Sequence, residues 1–103
     1  MTVFYYQLLV RPQPESDNWG KCGGAYACCW VKNSSFDRAH EQIMHAMSKL
    51  GWIVEGIEEK KVIEETSYAS NSPAYSHYQK ANKEGSYFLL HTWPNEAEDE
   101  ETQ

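Results

Sequence analysis

One helix, flanked on both sides by strand-like runs, constrains this chain more than any other feature. Ser34 to Gly51 reads SSFDRAHEQIMHAMSKLG. Ser34 or Ser35 can accept a hydrogen bond from the first unpaired backbone N–H groups of a helix, and Gly51 can take the left-handed conformation that ends it. Phe36, Ala39, Ile43, Met47 and Leu50 recur at spacings of three and four, which draws an apolar stripe along one side. A helix with such a stripe must bury it, and the neighbouring strands offer the surface.

Those strands are legible from composition and alternation. Thr2 to Val10 is rich in β-formers, with Val3, Tyr5 and Leu9 on one face and Phe4, Tyr6, Leu8 and Val10 on the other. Both faces are apolar, so this strand is expected to be covered well. Ala25 to Lys32 is a second strand. It presents Ala25, Ala27, Cys29 and Val31 on a small-residue face suited to receive the helix, and Tyr26, Cys28 and Trp30 on the other. Between the two, Arg11 to Gly24 holds two prolines and three glycines besides Arg11 and reads as a long irregular connection.

Beyond the helix, Trp52 to Thr66 is strand-like, but its alternation slips near Gly56. One long bulged strand and a hairpin turning at Glu58–Lys61 both fit, and the hairpin is preferred. Ser72 is placed to cap a second helix, with Pro73 at its first position and Gly85 at its end. Ala74, Tyr78 and Ala81 mark its expected inner side. Tyr87 to Trp93 is the last strand, stopped by Pro94.

With a hairpin in the middle, the order after the long connection is strand–helix–strand–strand–helix–strand. That order resembles the ferredoxin-like split βαβ pattern with an extra leading strand. The resemblance implies an α+β two-layer sandwich: an antiparallel sheet of four to five strands with two helices on one face. It rests on element order alone, and so many activities use this fold that it implies none. Residues 1–94 are expected to form a single domain. Residues 95–103, NEAEDEETQ, contain five acids and no base and are expected to be a disordered acidic tail.

The tail accounts for most of the net charge of −6 and leaves the remainder at −1. A near-neutral body lacks the basic stripe of a nucleic-acid-binding protein. The longest apolar run, Val3 to Val10, is far too short to span a bilayer. It also lacks the basic flank and cleavage site of a secretory signal. Three cysteines without such a signal point to free thiols and a cytoplasmic location.

The candidate chemical motifs have simpler roles. His40 and His45 are five residues apart, so on a helix they point roughly 140° apart and cannot share a metal as the four-residue zincin spacing does. Cys28 and Cys29 face opposite sides of a strand, and Cys22 has no C-x-x-C partner. No phosphate loop, dinucleotide fingerprint or nucleophile elbow occurs. No catalytic residue, metal or cofactor is therefore assigned.

The aromatic content is more suggestive, with seven tyrosines and four tryptophans. Trp19 lies in the long connection, and TSYASNSPAYSHY, residues 66–78, has the Tyr/Ser/Asn character of contact surfaces. The favoured expectation is a small non-enzymatic protein-binding or regulatory module that contacts a protein partner, or a second copy in a homodimer, through Trp19, Tyr68, Tyr75 and Tyr78. The alternative is a small-molecule-binding domain or small enzyme with a cleft lined by Tyr5, Trp30, His77 and His91.

Overall fold

The computed structural model describes residues 1–94 and has the order β1 (Thr2–Pro12), β2 (Cys22–Asn33), α1 (Phe36–Lys49), β3 (Trp52–Ile63), α2 (Pro73–Glu84) and β4 (Ser86–Pro94). The acidic tail expected over 95–103 lies outside the described residues. The four strands form one antiparallel sheet in the order β3-β1-β2-β4. The fold is α+β, and its strand order is not that of the ferredoxin-like split βαβ pattern.

The two helices lie on opposite faces of the sheet rather than on one, and the reason is the two-sided character of β1. Its even positions Phe4, Tyr6, Leu8 and Val10 join Ala25, Ala27, Cys29 and Val31 of β2 and Ala39, Ile43 and Met47 of α1 in one core. Its odd positions Val3 and Tyr5 join Cys28 and Trp30 of β2, Ile63 of β3 and Ala81 of α2 in a second core, with Tyr68, Tyr78, Tyr87 and Leu89 packed against it. One helical layer would leave half of these side chains in water. The result is three layers, helix–sheet–helix.

The expected hairpin at Glu58–Lys61 is instead the middle of one continuous strand. β3 pairs with β1 from Val3↔Ile63 to Pro12↔Trp52. Its register shifts twice, between Gln7 and Leu8 and between Leu9 and Val10. Glu58 and Glu55 are the extra residues there, and the bulges absorb the slip in alternation around Gly56. A partner strand eleven residues long rewards staying extended more than turning back. For the same reason the irregular connection is shorter than expected. β1 runs on through Pro12 and β2 starts at Cys22, which leaves Gln13–Lys21 as the loop.

Both helix starts are capped by serines. Ser35 Oγ accepts from Arg38 N at 3.2 Å, and Ser72 Oγ accepts from Tyr75 N at 3.2 Å. α2 ends at Gly85, whose φ of 101° is left-handed and open to glycine at low cost. At Gly24 the constraint is space: a Cβ there would come within 2.6 Å of the Trp93 ring and 2.9 Å of the Val10 carbonyl. Leu50, expected on the buried stripe of α1, sits just past its end and is 52% exposed. Among the described residues no helix is long and apolar enough to cross a membrane.

The buried stripe of α1 thus ends at Met47, and its centre is Ile43, which is fully buried. Ile43→Ala should cost about 2–5 kcal/mol of unfolding free energy in a urea titration, because it leaves a cavity between α1 and the sheet. Leu50→Ala should change the same measurement by about 0.5 kcal/mol or less.

Candidate functional site

On the α2 side of the sheet an open cleft of about 480 Å³ runs between the β1–β2–β4 surface and the segment leading into α2. Its walls come from separate parts of the chain, because the strand order sets β1 beside β2 and β2 beside β4. Tyr5 is on β1, Trp30 on β2, Glu59 and Lys61 on β3, Tyr68 and Ser72 on the β3–α2 connection, His77 on α2 and His91 on β4.

Trp30 organises this cleft. It is 4% exposed, and its ring centre lies 4.9 Å from that of Tyr5 and 4.9 Å from that of His77. Its indole N–H donates to the Tyr68 hydroxyl at 3.2 Å, so the β3–α2 connection is tied down onto β2. His77 in turn stacks on Tyr87 at 4.8 Å with the rings 13° from parallel. Tilted and offset contacts of this kind add about 0.5–1.5 kcal/mol per pair beyond the area they bury.

The charged groups stand at the rim. Lys61 Nζ lies 5.4 Å from the centre of the Tyr5 ring and 6.0 Å from that of Tyr68. The same ammonium is 3.5 Å from Glu59 in an exposed ion pair, a class of contact worth little by itself. Burial is the main force on the ionisable groups below. It pushes the Tyr5 hydroxyl well above the ordinary phenol range, and the neighbouring Cys28, Glu59 and Tyr68 act in the same direction. Burial, followed by Lys80 and His91, holds the His77 imidazole below its ordinary value. Tyr5 therefore stays a neutral phenol and His77 a neutral imidazole at pH 7. His77 Nδ1 is buried and has no hydrogen-bond partner among the described residues.

All four residues assigned to a cleft from the sequence, Tyr5, Trp30, His77 and His91, line this one. Of the proposed contact residues, Tyr68 is here too. Tyr78 packs against the core beneath α2, and the Tyr75 ring lies 6.1 Å from it. Trp19 stands apart, 53% exposed, in a second cleft of about 300 Å³ with Arg11, Pro12 and Cys22. Sequence reasoning missed Lys61, Glu59 and Leu89 as wall residues and Tyr87 as the ring beneath His77. Lys61 could be assigned only once β3 was known to pair with β1, since Tyr5 and Lys61 are direct cross-strand partners.

The cysteines are free thiols. Cys29 is fully buried under α1, and burial pushes its thiol up to about 12, which keeps it protonated and unreactive. Among the described residues no group of three or more His, Cys, Asp or Glu side chains is arranged to hold a metal ion. Comparison with protein families, with curated proteins and with solved structures finds no match.

His77 makes the α2 face sensitive to pH. Its folded-state pKa is depressed, so below about pH 6.5 the unfolded chain binds a proton that the folded chain resists. Its contribution to stability is complete above that value and is lost as the pH falls toward the lower folded pKa. The urea midpoint of the wild type should therefore drop more steeply between about pH 7 and pH 5 than that of His77→Gln.

Proposed function

We propose that this chain is a non-enzymatic binding module whose working surface is the cleft between α2 and the sheet, and that its ligand is a small planar organic molecule. One observation carries the proposal: Tyr5, Trp30, Tyr68, His77 and His91, drawn from five segments of the chain, converge on one cleft of about 480 Å³. That volume lies within the ~300–1,000 Å³ of small-ligand sites, which pair apolar walls with a few polar groups. The aromatic floor suits a flat ring. His91 and the Glu59–Lys61 pair supply hydrogen bonds at its edge. Burial moves both Tyr5 and His77 toward the neutral form, and an uncharged floor suits an aromatic ligand. We further propose the reducing cytoplasm as its compartment, because all three cysteines are free.

The proposal is tested by amide and indole N–H chemical shifts of the full chain, titrated with a panel of indoles, phenols and aromatic carboxylates. Shifts should converge on the Trp30 indole, Tyr68, His77 and His91. His91→Ala, at an exposed position, should weaken the best binder by about 1 kcal/mol, roughly fivefold, through loss of one ring contact. Shifts that gather around Trp19 instead, or that scatter over the surface, would overturn the assignment.

A further inference from the structure

Lys60, Lys61 and Lys80 each lay an ammonium group over an aromatic ring. Lys60 Nζ lies 5.0 Å from the centre of the Phe36 ring and Lys80 Nζ 5.3 Å from that of Tyr87, one ring apiece. Lys61 differs. Its ammonium is shared between the Tyr5 and Tyr68 rings and also pairs with Glu59. Among the described residues it is the one ammonium set against two rings and a carboxylate. The strand register builds this seat: Lys61 lies opposite Tyr5, and Glu59, two residues earlier on the same face, lies opposite Gln7. Tyr68 arrives from the β3–α2 connection and is held by the Trp30 indole N–H at 3.2 Å. Tyr5, Tyr68, Glu59 and Lys61 all line the cleft.

With the cleft taken as the binding surface, the reading on which this rests, we propose that its ligand joins a flat ring to an ammonium group. That ammonium takes the seat between Tyr5, Tyr68 and Glu59 that Lys61 Nζ holds in the unliganded chain. Two tyrosine faces and a carboxylate suit an organic cation: the rings attract it through their negative faces, and the acid accepts hydrogen bonds from its N–H groups. The position of Lys61 Nζ, 5.4 Å from one ring centre and 6.0 Å from the other, shows that an ammonium fits there.

The lining residues include one acid, Glu59, and one lysine, Lys61, so their formal charges cancel and do not choose the sign of the ligand. The rings and the freedom of the side chains do. An anion drawn to Lys61 would meet the negative ring faces and stand beside the Glu59 carboxylate, which is 3.5 Å from the same ammonium. A cation meets Lys61 alone as an opposing charge, and Lys61 can leave. Its side chain is 46% exposed, its stem is long and flexible, and β3 is an edge strand, so the departing ammonium swings into water. The exposed pair it gives up is worth little. A ligand whose ring rests on the floor presents its ammonium with less rotamer freedom to lose than Lys61 has.

Titration of the full chain at pH 7 with tryptamine, tryptophol and indolepropionate, read by the Trp30 indole and Tyr68 amide shifts, tests the proposal. The three probes share one ring and carry a positive, a neutral and a negative group at that pH. Tryptamine should bind roughly fivefold tighter than tryptophol, and indolepropionate more weakly than either. Glu59 and Lys61 are exposed, so changes there should spare the fold. Lys61→Met empties the seat and should tighten tryptamine roughly threefold, whereas a ligand anion held by Lys61 would be weakened by it. Glu59→Gln should weaken tryptamine by a similar factor and leave tryptophol unchanged. Glu41→Gln, the same change of charge on α1 across the sheet, should leave all three probes unchanged. Tryptophol binding as tightly as tryptamine, with both shifting Trp30 and Tyr68, would overturn the ammonium and leave the cleft as the binding surface. Tryptamine that is not tightened by Lys61→Met, or not weakened by Glu59→Gln, would overturn the shared seat. No shift at Trp30 or Tyr68 with any of the three would overturn the reading of the cleft and this inference with it.

Discussion

The structure depends on the two-sided burial of one strand. β1 buries Phe4, Tyr6, Leu8 and Val10 on one face and Val3 and Tyr5 on the other, at about 1.5–3 kcal/mol for each large apolar side chain taken fully out of water. Neither face can be left to solvent, so each needs its own cover, and the chain supplies a helix for each. The sheet must also flank β1 on both sides to satisfy its backbone, which places β2 and β3 there. With α1 committed to the even face, α2 is left for the odd face, and the cleft forms where α2 and its leading segment cover that face incompletely.

Local chemistry was legible wherever the information lies within a few residues. Ser72, Pro73 and Gly85 bounded α2 correctly because caps and left-handed ends act over one helical turn. The small-residue face of β2 was matched to α1 for a similar reason: Ala25, Ala27, Cys29 and Val31 can admit a helix closely, whereas Tyr26 and Trp30 cannot. What failed was long-range. The slip near Gly56 was visible in the sequence, but whether it meant a turn or a bulge depended on a strand some fifty residues away. The side on which α2 lies depended on the same pairing. Both apolar faces of β1 were read correctly, and that reading already argued against placing two helices on one face.

The cleft was legible in part on the same terms. Tyr5, Trp30, His77 and His91 could be named as polar-tipped or aromatic residues on particular strand and helix faces, and the sheet order brings them together. Lys61 and Glu59 could not be named, because their place opposite Tyr5 and Gln7 follows from the bulged register of β3. Trp19 illustrates the opposite limit. Its place in a loop made it a candidate contact residue, but composition alone gave no sign that it stands apart from the tyrosines of residues 66–78.

The strand order also sets a timetable. β1 and β2 pair early, as neighbours in the chain, yet the strands that close the sheet lie at residues 52–63 and 86–94. During synthesis the central hairpin is complete while both of its faces and both of its edges still lack cover. Such a species exposes unpaired edges and apolar surface until the last strand has been made, the circumstance in which nascent chains associate wrongly or call on chaperones. A fold this dependent on distant pairings should mature slowly for its size, and the burden falls on the same β1 faces that later hold it together.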